Sequence, residues 1–155
     1  IGRVLARLLK KHFVDLDSEI ERRCGADIPW IFDVEGESGF RDRESSVLAE
    51  LCGRPDLVLA TGGGVILDPE NRDQITRQGF VIYLSAPLEQ LFNRTSKDKN
   101  RPLLQTDNPR EKLEEILNIR DPLYREAADV VIETDGSPAR GVVKKLHTMI
   151  TDRGL

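Results

Sequence analysis

The chain has little of what marks a secreted, membrane or nucleic-acid-binding protein. Cys24 and Cys52 are the only cysteines in 155 residues, and they form neither a disulfide framework nor a Cys-x-x-Cys or metal-type spacing. They read as buried thiols in a reducing compartment, so the cytoplasm is the expected location. No apolar run approaches the roughly 18 residues of a membrane span, and no signal-peptide pattern occurs, so no membrane association is expected. Positive charge is not in excess either. A net charge of -4 gives no whole-molecule attraction to nucleic acid, and any anion site must be a local cluster of Arg or Lys. No Asn-Gly or Asp-Gly pair joins neighbouring strands, since Asp135-Gly136 leads into a helix, which argues against a sheet built from hairpins. Internal repeats, low-complexity tracts and a dividing linker are also missing. At the amino terminus there is no initiator Met and no Ser, Thr, Asp or Asn to cap the first helix; the expectation is that further sequence lies upstream.

What is present describes an ordinary globular chain, 39% hydrophobic and 32% charged, long enough for one domain over residues 1–155. Ile1, Val4, Leu5, Leu8 and Leu9 recur at helical spacing opposite Arg3, Arg7, Lys10 and Lys11. His12–Asp17 reads as a strand ending in two carboxylates, and Ser18–Cys24 as a helix stopped by Gly25. Asp27 and Pro29 open a helix through Trp30 and Phe32 to Gly36. Phe40–Cys52 is a further helix, with Val47, Leu48 and Leu51 inward and Gly53 as its stop. Leu57–Thr61, Phe80–Leu84 and Asp129–Thr134 read as strands, the first of them buried. Three later helices share a capping residue followed by Pro, at Asp68-Pro69, Asn108-Pro109 and Ser137-Pro138. Ser96–Asn108 is polar, interrupted by Pro102, and reads as a mobile loop. Four alternations of strand and helix predict an α/β fold of three layers, a parallel sheet with helices on both faces.

The stretch most suggestive of a site is Leu57-Val-Leu-Ala-Thr-Gly-Gly-Gly64, an apolar run that ends on three glycines. Residues without Cβ at the carboxyl end of a strand let a ligand approach the backbone, where open α/β sheets bind ligands; alone, the glycines would be a flexible turn. Asp15 and Asp17, two apart on an extended backbone, would point to one face and could hold Mg²⁺ or accept hydrogen bonds from a substrate hydroxyl. The plainer alternative is that Asp17 caps the helix at Ser18. Arg41 precedes Glu44 by three residues on one helical face, a pair that on a surface adds about 0.3–0.5 kcal/mol. With a second Arg it could clamp a carboxylate; Arg120 is a candidate, otherwise a solvated helix residue. Arg101, held by Pro102 in the polar loop, suits neutralising charge on a transferring phosphoryl group, and Arg94 could face the same cleft. Trp30, Phe32 and Phe40 read as core before pocket lining, and Tyr83 and Tyr124 as packing.

Taken in order, Asp15-Leu-Asp17, Gly25-Ala-Asp-Ile with Trp30-Ile-Phe32, Glu35-Gly-Glu-Ser-Gly-Phe-Arg-Asp-Arg-Glu44, Thr61-Gly-Gly-Gly64, Asn100-Arg-Pro-Leu-Leu104 and Arg120-Asp-Pro-Leu-Tyr124 span almost the whole chain. The set resembles the shikimate kinases, P-loop enzymes similar to nucleoside-monophosphate kinases. The resemblance implies ATP-dependent phosphorylation of the 3-hydroxyl of shikimate in aromatic amino-acid biosynthesis, by a monomer using Mg²⁺. By position it implies that Asp17 accepts the substrate hydroxyl and Asp15 helps hold Mg²⁺. Arg41 and Arg120 would clamp the carboxylate, with Glu44 steadying Arg41, and Gly62, Gly63 and Gly64 would admit the substrate ring. Arg101 would reach the phosphates from a lid spanning residues 96–108, and Arg94 would flank the adenine. One family feature is missing: Gly-x-x-x-x-Gly-Lys-Ser/Thr occurs nowhere in the 155 residues. The expectation is that this loop and the family's central first strand precede Ile1, leaving four strands here and a polypeptide that cannot turn over alone. Two rivals are a related kinase of the gluconate type and a non-catalytic small-acid-binding module; intact Asp15, Asp17 and Arg101 speak against the second.

Overall fold

The computed structural model describes residues 1–95, 107–134, 136 and 138–155. The predicted lid loop, apart from Asp107 and Asn108, and Arg101 with it, lie outside the described residues. Helix α1 (Gly2–Leu9) leads into strand β1 (His12–Asp15), then helices α2 (Leu16–Cys24) and α3 (Ile28–Cys52) and strand β2 (Leu57–Ala60). A 3-10 helix (Gly63–Leu67), helix α4 (Pro69–Gln78), strand β3 (Ile82–Ser85) and helix α5 (Leu88–Thr95) follow. Helix α6 (Pro109–Ala127), strand β4 (Val130–Glu133) and helix α7 (Ala139–Asp152) complete the order.

The α/β class and parallel pairing are as expected, but the strands form two separate ladders among the described residues. β1 pairs with β2 in register His12 to Leu57 through Asp15 to Ala60, and β3 with β4 from Ile82 to Val130 through Ser85 to Glu133. Each ladder has its own core. Leu16 and Ile20 of α2 pack with Ile31, Phe40, Leu48 and Leu51 of α3 over β1 and β2. Leu5 of α1 packs with Val142, Val143, Leu146 and Ile150 of α7 over Val130 and Ile132. Helix α1 touches β1 and β2 on one side and α7 on the other, so it bridges the two halves.

Several local expectations shift for identifiable reasons. Strand β1 stops at Asp15, because the Asp15 carboxylate accepts the Ser18 N–H at 3.0 Å and starts α2 at Leu16. Asp15 is therefore the cap and Asp17 lies in the first helical turn, not in the strand. The two predicted helices before β2 form one element broken at Gly36, whose φ of 74° and ψ of 176° interrupt the helical path. Strand β2 is half-buried along its length, β3 begins two residues later than predicted, and β4 is shorter at both ends. Asp68 and Asn108 cap α4 and α6 as expected, accepting from the N–H groups of Glu70 and Glu111, whereas α7 starts after Pro138 without a side-chain cap. On α1 only Leu5 and Ala6 are buried, and Val4 and Leu8 stay about half exposed. Trp30 is exposed as well, so it is not core; Phe32 and Phe40 stack with centroids 5.1 Å apart. The two cysteines are half-buried.

Candidate active site

The site follows from the register of β1 and β2. Asp15 and Ala60 are partners at the carboxyl ends of adjacent parallel strands, so Asp17 and Gly62, each two residues further on, leave the ladder side by side. A Cβ on Gly62 would lie 2.8 Å from Asp17 Oδ1. The next two glycines meet other elements. A Cβ on Gly63 would lie 2.8 Å from the Tyr124 hydroxyl and 3.2 Å from Arg120 Nη1, and one on Gly64 would fall within the Arg41 guanidinium. None of the three has a left-handed backbone. Glycine serves closeness here, not conformation: a Cβ at any of the three would push the end of the facing side chain out of its place.

Three consecutive glycines therefore bring together Asp17 from α2, Arg120 from α6 and Arg41 from α3. Arg41 Nη1 donates to Glu44 Oε1 at 3.0 Å, and Glu37 lies 3.5 Å from Nη2. Glu44 is 1% exposed, so this is not the surface pair that the spacing alone suggests. Burial pushes the Glu44 carboxyl above its ordinary range; Arg41 and, more weakly, Arg120 oppose this, while the negative charge of Asp17 adds to it. One buried carboxylate is thus in electrostatic reach of all three charged groups on the glycines. Arg72 Nη1 donates to the carbonyl oxygens of Ile66 and Leu67 at 2.7 and 3.3 Å, closing the far end of the 3-10 helix. Behind it the buried Asn71 donates to the Ser45 hydroxyl at 3.1 Å, tying α4 to the residue after Glu44.

Arg94 sits apart, in an open groove it lines with Pro87, Gln90, Asn93 and Gly136. Asp15 is half-buried, with one oxygen engaged on the helix start. Among the described residues no cluster of three or more His, Cys, Asp or Glu could hold a metal by itself. Tyr124, read from sequence as packing, donates its hydroxyl to the Gly63 carbonyl at 2.6 Å. Its partner lies 61 residues away, and only its position four residues after Arg120 hinted at a shared face.

The sequence model of the shikimate kinase family matches residues 1–151. The chain is 58% identical over 152 residues to the shikimate kinase of Pseudomonas savastanoi pv. phaseolicola, covering 98% of this chain and 88% of that one. It is 54% identical over 146 residues to the enzyme of Pseudomonas paraeruginosa, covering 94% and 85%. Among solved structures, that of shikimate kinase from Acinetobacter baumannii in complex with shikimate superposes with a TM-score of 0.95 at 53% identity, over 99% of this chain and 86% of that one. The shikimate kinase of Aquifex aeolicus gives 0.83 at 30% identity, over 99% and 89%.

Proposed function

The chain belongs to the shikimate kinase family, and on that premise we propose that Asp17, Arg41, Gly62, Gly63, Gly64 and Arg120 bind shikimate for phosphoryl transfer from ATP to its 3-hydroxyl. The observation that carries this reading is the convergence of an acid and two guanidinium groups on three adjacent Cβ-free residues. A small hydroxylated carboxylic acid needs a cationic clamp at one end and a hydroxyl acceptor at the other. Arg41 and Arg120 grip the carboxylate, Glu44 holds Arg41 in place, and the bare backbone admits the ring. Asp17 accepts the hydrogen bond of the attacking hydroxyl and orients it. As the oxygen bonds to the γ-phosphorus and the bond to ADP breaks, Asp17 can receive the released proton.

Asp15 retains a second carboxylate oxygen, and one carboxylate with substrate phosphates is an ordinary donor set for Mg²⁺, which would neutralise charge on those phosphates. Arg94 flanks the adenine from its groove, and Arg101, outside the described residues, is assigned to the phosphates. We read the enzyme as a cytoplasmic monomer. The family's Gly-x-x-x-x-Gly-Lys-Ser/Thr phosphate loop does not occur in the 155 residues.

A coupled ATP assay tests the division of labour. A polypeptide confined to these residues is expected to show no turnover above background and to associate through its open strand edges. Joined to an upstream strand and Gly-x-x-x-x-Gly-Lys-Ser/Thr loop, it should turn over with shikimate. Full turnover by the short polypeptide would overturn the assignment.

A further inference from the structure

Helix α6 carries two groups onto one glycine. Arg120 and Tyr124, one turn apart, both abut Gly63, and the Tyr124 hydroxyl donates to the Gly63 carbonyl oxygen at 2.6 Å. The origin of that hydroxyl is itself fixed. The Tyr124 ring lies against Tyr83 of β3 with centroids 4.8 Å apart. The Tyr83 hydroxyl donates to Asp121 Oδ1 at 2.6 Å, and Arg125 Nε donates to Asp121 Oδ2 at 2.9 Å. These contacts lock α6 to the β3–β4 ladder, so Tyr124 joins that half of the molecule to the glycine segment that follows β2.

The Gly63–Gly64 peptide is planar and trans, so its carbonyl and its N–H point in opposite directions. A hydroxyl that fixes the Gly63 carbonyl on the α6 side also fixes the direction of the Gly64 N–H. Glycine backbones have many nearby conformations, and the neighbouring peptides have no side chain of their own to hold them. We infer that Tyr124 is a positioning residue for the acceptor substrate: its hydroxyl sets the orientation of the Gly63–Gly64 peptide and keeps the glycine wall in register with Arg120. This rests on the proposed assignment of Gly62–Gly64 as the substrate wall.

The test uses the chain in the form that turns over ATP. Tyr124→Phe keeps the ring against Tyr83 and removes only the hydroxyl. The KM for shikimate and its dissociation constant by calorimetry should each rise about fivefold, the loss of one neutral hydrogen bond, while the KM for ATP stays unchanged. Gly63→Ala, which places a Cβ against the same hydroxyl, should produce the same selective rise, and the double variant should be no worse than Gly63→Ala alone. Unchanged shikimate affinity in Tyr124→Phe would overturn the inference. So would a rise in both KM values that tracks a fall in Tm, since that marks a general structural role. If Tyr124→Phe does not fold, Gly63→Ala with normal shikimate affinity overturns it instead. Failure of the unmodified enzyme to bind shikimate is a separate result, and it would remove the assignment of the site itself.

Discussion

Arg41→Ala is expected to weaken shikimate binding by roughly 30- to 100-fold, the loss of a charge-assisted clamp on a carboxylate, and to destabilise the fold at the same time. The two losses have different origins. Glu44 is 1% exposed and its carboxylate accepts from Arg41 at 3.0 Å. Removing the guanidinium strands a buried charge, which costs about 3 kcal/mol, toward the lower end for such pairs because Arg41 itself is partly exposed. Protonation relieves part of this. The Glu44 carboxyl is already raised by burial, and without Arg41 it moves further up. A carboxyl whose pKa is higher in the folded than in the unfolded chain favours the fold at low pH and loses that contribution as pH rises through the folded pKa. The variant should therefore lose more stability at pH 8 than at pH 6 in urea unfolding. Arg41→Ala combined with Glu44→Gln should recover the stability and leave shikimate binding lost, which separates the clamp from its support. Normal shikimate affinity in Arg41→Ala would remove Arg41 from the site.

Gly64→Ala should be the most damaging methyl among the three glycines of the wall. Gly64 is buried, and a Cβ there would overlap the Arg41 guanidinium, so Arg41 must leave either Glu44 or the wall. Shikimate affinity should fall at least 100-fold by calorimetry, with about 1–3 kcal/mol of lost stability from overpacking. Gly62→Ala provides the contrast, because its Cβ would meet the end of the Asp17 side chain at 2.8 Å. It should lower kcat more than shikimate affinity, because it displaces the hydroxyl acceptor and not the carboxylate clamp. Equal effects of the two substitutions would contradict the assignment of acid and clamp to different glycines.

What the sequence made legible was local chemistry. Asp68-Pro69 and Asn108-Pro109 mark helix starts because an acceptor side chain followed by a fixed φ is decisive within four residues. Gly25 ends α2 with a left-handed φ of 75° for a similar reason. The acid, the two arginines and the three glycines were also identifiable, since their order and spacing resemble one family. Less legible was whatever depended on competition or distance. The sequence offered Asp17 as the alternative cap of α2, but the hydrogen bond to Ser18 makes Asp15, the last residue of β1, the cap, and that moves Asp17 off the strand. The depth of Glu44 could not be read from an i, i+3 spacing that usually belongs to a surface. Trp30 offered no sign that it would be exposed, because an aromatic on a helix is core more often than not. The bond from Tyr124 to Gly63 joins segments 61 residues apart, and no local pattern encodes it.

The assignment of the acceptor site is tested most directly by a crystal structure with shikimate bound. The expected density places the carboxylate between Arg41 and Arg120, the ring on the backbone of Gly62–Gly64, and a hydroxyl within hydrogen-bonding distance of Asp17. Shikimate bound elsewhere, or turned so that its carboxylate is remote from both arginines, would contradict it.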